Sequence, residues 1–304
     1  MPLLKTSFIR NIIIFLAAAM LCVSAMAADF NQTQRLANQG DADAQFSLGN
    51  SFYYGEGVPQ DYAKAIEWYT KAANQGDTEA QRMLGSMYYR GEGVPQDYAK
   101  AVQWLQKTAN QDDAEAQFVL GAMYYKGIGI SQDYTKAIEW FQKSADHGNS
   151  NAQSMLGTMN YRGEGVPQDI TKTVEWFQKS ADQGEARSQA TLGLVYYLGE
   201  GVRQDYAKAR EWFQKSADQG DVSAQFYLGT MYLKGEGVRQ DYAKAREWFQ
   251  KSADQGDAKA QYNLGVMYKK GEGVRQNKVT AKEYFGKACD NGVQAGCEGY
   301  RILN

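Results

Sequence analysis

Between residues 41 and 76 the apolar positions fall into two groups of helical spacing, separated by a polar, glycine-rich break. In the first group Ala44, Leu48 and Phe52 recur every four residues and share one face of a helix. In the second, Ala65, Trp68, Tyr69, Ala72 and Ala73 form a stripe at three- and four-residue spacing. The break contains Gly55, which adopts positive φ at little cost, and Pro59, which cannot continue a helix. Asp41 and Asp61 stand just ahead of the two stripes, where a carboxylate accepts from free backbone N–H groups. Gly76 ends the second helix. Gly49 lies inside the first, at a cost of about 1 kcal/mol against alanine, which predicts close approach of another helix.

The pattern recurs every 36 residues, at 41–76, 77–112, 113–148, 149–184, 185–220, 221–256 and 257–292. A fixed period of roughly 20 to 50 residues determines architecture before any other feature. Residues 28–40 align with the second half of a repeat, Arg35 to Gly40 matching Lys71 to Gly76. Residues 293–304 read as a shortened first helix that caps the array. One helix pair cannot bury its own stripes, whereas stacked pairs bury them against each other. The expected fold is therefore all-α: a right-handed α-solenoid superhelix of antiparallel helix pairs. Trp68, Trp104, Trp140, Trp176, Trp212 and Trp248 share one position and are expected in the core.

The first 27 residues belong to a different pattern. Lys5 and Arg10 precede an apolar run from Ile12 to Val23, and Ala25-Met26-Ala27 fits a small-x-small cleavage site. The run is short of the ~20 residues a membrane span needs. This predicts a signal peptide (1–27) cut between Ala27 and Ala28, and a periplasmic or secreted chain with no span after cleavage. A net charge of −2 over 304 residues gives no bulk argument for nucleic acid as a partner. One histidine and three cysteines argue against a metal centre, and no cofactor is expected.

The sixth repeat carries Ala224-Gln225, Leu228-Gly229, Gly235-Glu236-Gly237-Val238, Lys244-Ala245 and Trp248-Phe249. These motifs resemble the Sel-1-like repeat, a family related to tetratricopeptide repeats, and the resemblance extends over 41–292. It implies a scaffold for protein–protein contacts with a protein or peptide partner; cell-wall material is a second class of partner. In related solenoids the first helix lines the concave surface. The sixth, tenth and fourteenth positions of the first helices vary most here, and they include Phe46, Asn50, Arg82, Ser86, Phe118 and Phe226. These are candidate partner-binding residues; packing between repeats is the other reading of that row.

A second departure is ordered along the chain. Pro59, Pro95 and Pro167 give way to Arg203, Arg239 and Arg275, and Ile66, Val102, Ile138 and Val174 give way to Arg210, Arg246 and Lys282. Segment 29–184 has a net charge of −7 and segment 185–292 of +3. The two readings are a basic stripe that meets an acidic partner and by-products of a recent duplication. Gly199–Asp221 and Gly235–Asp257 are identical, which favours the second.

Cys289 and Cys297 fall on either side of an inter-helix turn and resemble the paired cysteines of a cysteine-rich branch of the family, so a disulfide is expected. Some relatives in that branch carry a β-lactamase label. No Ser-x-x-Lys, Lys-Thr-Gly or His-Glu-x-x-His occurs here, and no catalytic residue is assigned. A β-lactam- or cell-wall-directed enzyme and a secreted effector acting on host proteins stand as the alternatives to a scaffold.

Overall fold

The computed structural model describes residues 30–303. The proposed signal segment and its Ala27–Ala28 cleavage site lie outside those residues. After α1 (30–38), the first helices of the seven repeats are α2 (Ala42–Tyr54), α4 (Thr78–Arg90), α6 (Ala114–Lys126), α8 (Ser150–Arg162), α10 (Ala186–Leu198), α12 (Val222–Lys234) and α14 (Ala258–Lys270). The second helices are α3 (Tyr62–Asn74), α5 (Tyr98–Ala109), α7 (Tyr134–Asp146), α9 (Ile170–Asp182), α11 (Tyr206–Asp218), α13 (Tyr242–Asp254) and α15 (Lys278–Asp290). A short α16 (Gln294–Ile302) follows. No strand occurs among the described residues. Two compact units divide the chain, one ending at His147 and the other beginning at Gly148. Within each, consecutive helices pack on one another, as an all-α repeat solenoid requires.

Capping follows the sequence closely. Asp41 and Asp61 each accept from a backbone N–H three residues on, at 2.8 and 3.0 Å. The first helices end on glycines in the left-handed region, Gly55 at φ 74° among them. The second helices end two residues before a glycine of positive φ, except in the second repeat, where α5 stops at Ala109 and Asp112 holds φ 63°. That aspartate adopts a conformation which its counterparts reach with glycine.

The core differs from the expected stripes at two positions. In α4, the buried face is Ala80, Leu84 and Met87, spaced four and then three, so Met87 rather than Tyr88 completes it. Met123, Met159, Val195, Met231 and Met267 do the same in later repeats; α2, with serine there, uses Phe52 instead, and α6 and α8 bury Tyr124 and Asn160 beside the methionine. A period of 3.6 residues favours i+7 over i+8 for the third contact. The tryptophans are the second difference. Tyr69, Leu105, Phe141, Phe177, Phe213, Phe249 and Phe285 fill the interior, while the preceding residue, Trp in six repeats and Tyr284 in the seventh, is half-buried everywhere except at Trp140. Each Trp presents a face to the lysine three residues on, from 3.6 Å for Lys71 on Trp68 to 4.2 Å for Lys143 on Trp140. The indole lies at the core margin and a cation covers it.

The recurring helical glycine has its cause in the same aromatics. A Cβ on Gly193 would stand 2.5 Å from the Phe213 ring, and one on Gly49 would stand 2.6 Å from the Tyr69 ring. The element that approaches is the partner helix of the same repeat.

Candidate functional site

Among the described residues no group of three or more His, Cys, Asp or Glu side chains could hold a metal ion. The surface formed by the first helices has to be read instead through its packing. Phe46 lies against Tyr69 with ring centroids 5.7 Å apart, and Asn50 accepts a 2.7 Å hydrogen bond from the Tyr69 hydroxyl. Phe118 and Phe226 sit in the same way on Phe141 and Phe249, both at 5.8 Å. All four are partly buried, so each spends one side of its surface on its own repeat.

Between α4 and α6 the surface opens into a cleft of about 390 Å³, within the range of small ligand pockets. It brings together three of the sequence candidates, Arg82, Ser86 and Phe118, with Arg90, Ala122 and Lys126 at the neighbouring variable positions. The floor explains why it opens here. Leu105 lines it, and leucine stands where the other six repeats have Tyr or Phe. Ser86 and Ala122 keep the walls small. Apolar lining from Phe118 and Leu105 is thus bordered by three cations and one carboxylate, Glu115.

Those cations differ in their ties. Arg82 pairs with Glu79, whose carboxylate raises the guanidinium pKa further, yet its Nε is buried without an acceptor. Arg90 reaches Glu92 at 3.4 Å. Lys126 is exposed and makes no ion pair among the described residues. Glu92 also accepts from the Tyr53 hydroxyl at 2.8 Å; burial and that carboxylate push the Tyr53 phenol up to about 12. Tyr197 makes the corresponding bond to Glu236, and burial raises its pKa as well.

Arg203, Arg239 and Arg275 are exposed and lie in the loops ahead of α11, α13 and α15. They are not part of the cleft between α4 and α6. Cys289 and Cys297 are joined by a disulfide with Cα atoms 4.6 Å apart, tying α15 to α16. His147 caps the C-terminus of α7, and its Nδ1 is 3.2 Å from Gln117 Oε1. Because Gln117 Nε2 donates to the Ala109 carbonyl, its Oε1 is turned to the ring, which requires the Nδ1–H form.

That histidine belongs to a network the apolar pattern did not reveal. Gln81 Nε2 donates to the Ala73 carbonyl at 3.1 Å, and its Oε1 accepts from Gln111 at 3.0 Å. Gln225 repeats this with Ala217 and Gln255. Gln45, Gln189 and Gln261 do the same, each buried and bonded at both ends and linking a repeat to the helix before it. The available signal was a glutamine recurring at 45, 81, 117, 153, 189, 225 and 261, on a face otherwise apolar.

The fold defines a helical repeat scaffold, an architecture typical of protein–protein interaction. The Sel1 repeat matches residues 42–77, 78–113, 114–149, 150–185, 186–221, 222–257 and 258–293, and the chain belongs to that family. A Sel1 repeat protein from Oxalobacter formigenes is similar over 93% of this chain and 82% of its own, with 33% identity and a TM-score of 0.76. The protein c5321, a protective antigen present in uropathogenic Escherichia coli strains and displaying this fold, is 36% identical with a TM-score of 0.63, covering 91% of this chain and 68% of its own. An uncharacterized Sel1-like repeat-containing protein of Schizosaccharomyces pombe is 57% identical over 35 residues, which span 12% of this chain and 5% of that protein. Among the described residues no helix is long and apolar enough to cross a membrane.

Proposed function

We propose that the chain is an exported, non-enzymatic scaffold that binds a peptide segment of another protein on the surface of its first helices, in the cleft between α4 and α6. The observation that carries this is the cleft itself: an apolar floor at Leu105 and Phe118, bordered by the three cations Arg82, Arg90 and Lys126 against a single carboxylate, Glu115. An apolar side chain flanked by a carboxylate fits that arrangement, the first by burial and the second by a charge-assisted hydrogen bond. Export is supported by the Cys289–Cys297 disulfide, a bond that persists in oxidising compartments.

A random peptide display library panned against the purified chain tests the reading. Selected peptides are expected to pair an apolar anchor with Asp or Glu. Their affinity should fall by about tenfold or more in Phe118→Ala, the range of a central interface anchor. Leu105→Phe should have the same effect by filling the floor with the residue the other repeats tolerate. Peptides that bind both variants as tightly as the unaltered chain would place the binding surface elsewhere. Edman sequencing of the chain recovered from cells should begin at Ala28; an intact Met1 would remove the export part.

A further inference from the structure

We propose that a second surface, the loop and second-helix edge of repeats five to seven, is a docking strip for an acidic polypeptide segment. Arg210 on α11 and Arg239 in the following repeat line one recess, together with Tyr232, Gln240 and Lys244. A second recess, with Tyr196, Arg203, Gln204 and Lys208, is its counterpart one repeat earlier. The two arginine rows read from the sequence therefore converge in the later recess, while the earlier one has Arg203 alone because Val174 stands at the other position; each recess also holds one aspartate, Asp241 or Asp205, against two or three cations.

None of Arg203, Arg210, Arg239, Arg246 and Arg275 has an acidic group within ion-pair distance among the described residues, whereas Arg82, Arg90 and Arg162 in earlier repeats are paired. Arg210 and Arg246 also leave Nε buried without an acceptor. The same position holds Ile66, Val102, Ile138 and Val174 in the first four repeats, and Ile66 packs on the core. Replacing an apolar side chain by a cation with an unsatisfied donor does not stabilise the fold. The terminal nitrogens of these guanidiniums are left to act on something outside the chain.

Duplication accounts for the sixth repeat but not for the seventh. The seventh carries Asn277, Lys278, Val279, Thr280 and Tyr284, all different from the identical block, yet keeps a cation at both positions as Arg275 and Lys282. Charge survives where the surrounding letters have changed. Carboxylates fit the strip better than a phosphate backbone. Asp205, Glu211, Asp241 and Glu247 alternate with the cations, and a duplex charged every ~1.7 Å would set phosphates against them. Alternate residues of an extended peptide are roughly 7 Å apart, so its carboxylates can meet guanidiniums singly, in the bidentate geometry arginine favours.

Fluorescence anisotropy of the full chain with a labelled peptide of alternating glutamate and serine tests this. Binding is expected in low salt and should weaken steeply as salt is raised. A variant carrying the early-repeat residues, Arg203→Pro, Arg210→Ile, Arg239→Pro and Arg246→Ile, should bind about tenfold or more weakly with no fall in melting temperature. Arg203→Gln with Arg239→Gln and Arg275→Gln, at exposed positions only, should show the same loss whatever the first variant does to folding. Phe118→Ala should leave this binding unchanged, which separates it from the cleft. Absence of binding, equal binding by the exposed-position variant, or tighter binding of a single-stranded oligonucleotide of the same length would overturn the proposal.

Discussion

Asp112 holds a left-handed backbone that seven other turns of the same kind reach with glycine. For a residue with a Cβ this conformation costs roughly 1–2 kcal/mol, and glycine returns part of that through its freer unfolded state. Asp112→Gly should therefore raise stability by about 0.5 kcal/mol, read as a higher urea midpoint with unchanged slope. The reverse case is Gly193, where helix propensity alone favours alanine. Its missing Cβ is the space the Phe213 ring occupies, so Gly193→Ala should cost about 1–3 kcal/mol by overpacking. At Gly157 the nearest ring atoms are 3.2 Å away rather than 2.5 Å, and the same change should cost less. Equal losses at the two sites would show that the ring is not what selects glycine.

At the scale of the helix and its neighbour, two polar devices join repeats: the buried glutamines and the tyrosine–glutamate bonds. Gln225→Leu should destabilise by about 2 kcal/mol, because the Ala217 carbonyl and the Gln255 amide each lose a partner. Denaturant titration measures it, and a neutral result would mean that water replaces the side chain. The tyrosines add a dependence on alkaline pH. An ordinary tyrosine ionises near pH 10, and Tyr53 in the folded chain only at about 12. Its contribution is complete below pH 10 and is lost as pH rises from there through 12. The fall in melting temperature between pH 9 and 11 should be smaller in Tyr53→Phe with Tyr197→Phe; an equal fall would assign it to other groups. The pairing of helices, their caps and the break between them could be read from the letters, because each rests on local rules. The glutamine bonds could not, since a glutamine beside an alanine looks like a solvated position until the preceding helix is in place. The tryptophans misled for a related reason: their size suggested the interior, and the lysine one turn on is what lets them stay at its edge. Among the candidate residues, Arg82, Ser86 and Phe118 share a cleft because of Leu105, a departure from the aromatic pattern that has no visible consequence in one dimension.

Across the whole chain, stability in a repeat array is a sum of local terms, so each device should protect mainly its own neighbourhood. The disulfide closes a loop of sequence separation 8 between α15 and α16 and should contribute about 2 kcal/mol there. On reduction, hydrogen exchange should accelerate in α15 and α16 while α8 to α12 keep their protection; uniform acceleration through the second unit would show tighter coupling than nearest-neighbour packing. The identical block at Gly199–Asp221 and Gly235–Asp257 has a further consequence for heredity. Recombination between its two copies removes or inserts 36 residues in frame, and the helix brought beside α10 is letter for letter the one it already packs against. Array length can therefore change in a single genetic event without creating a foreign junction, and with it the number of arginine pairs displayed.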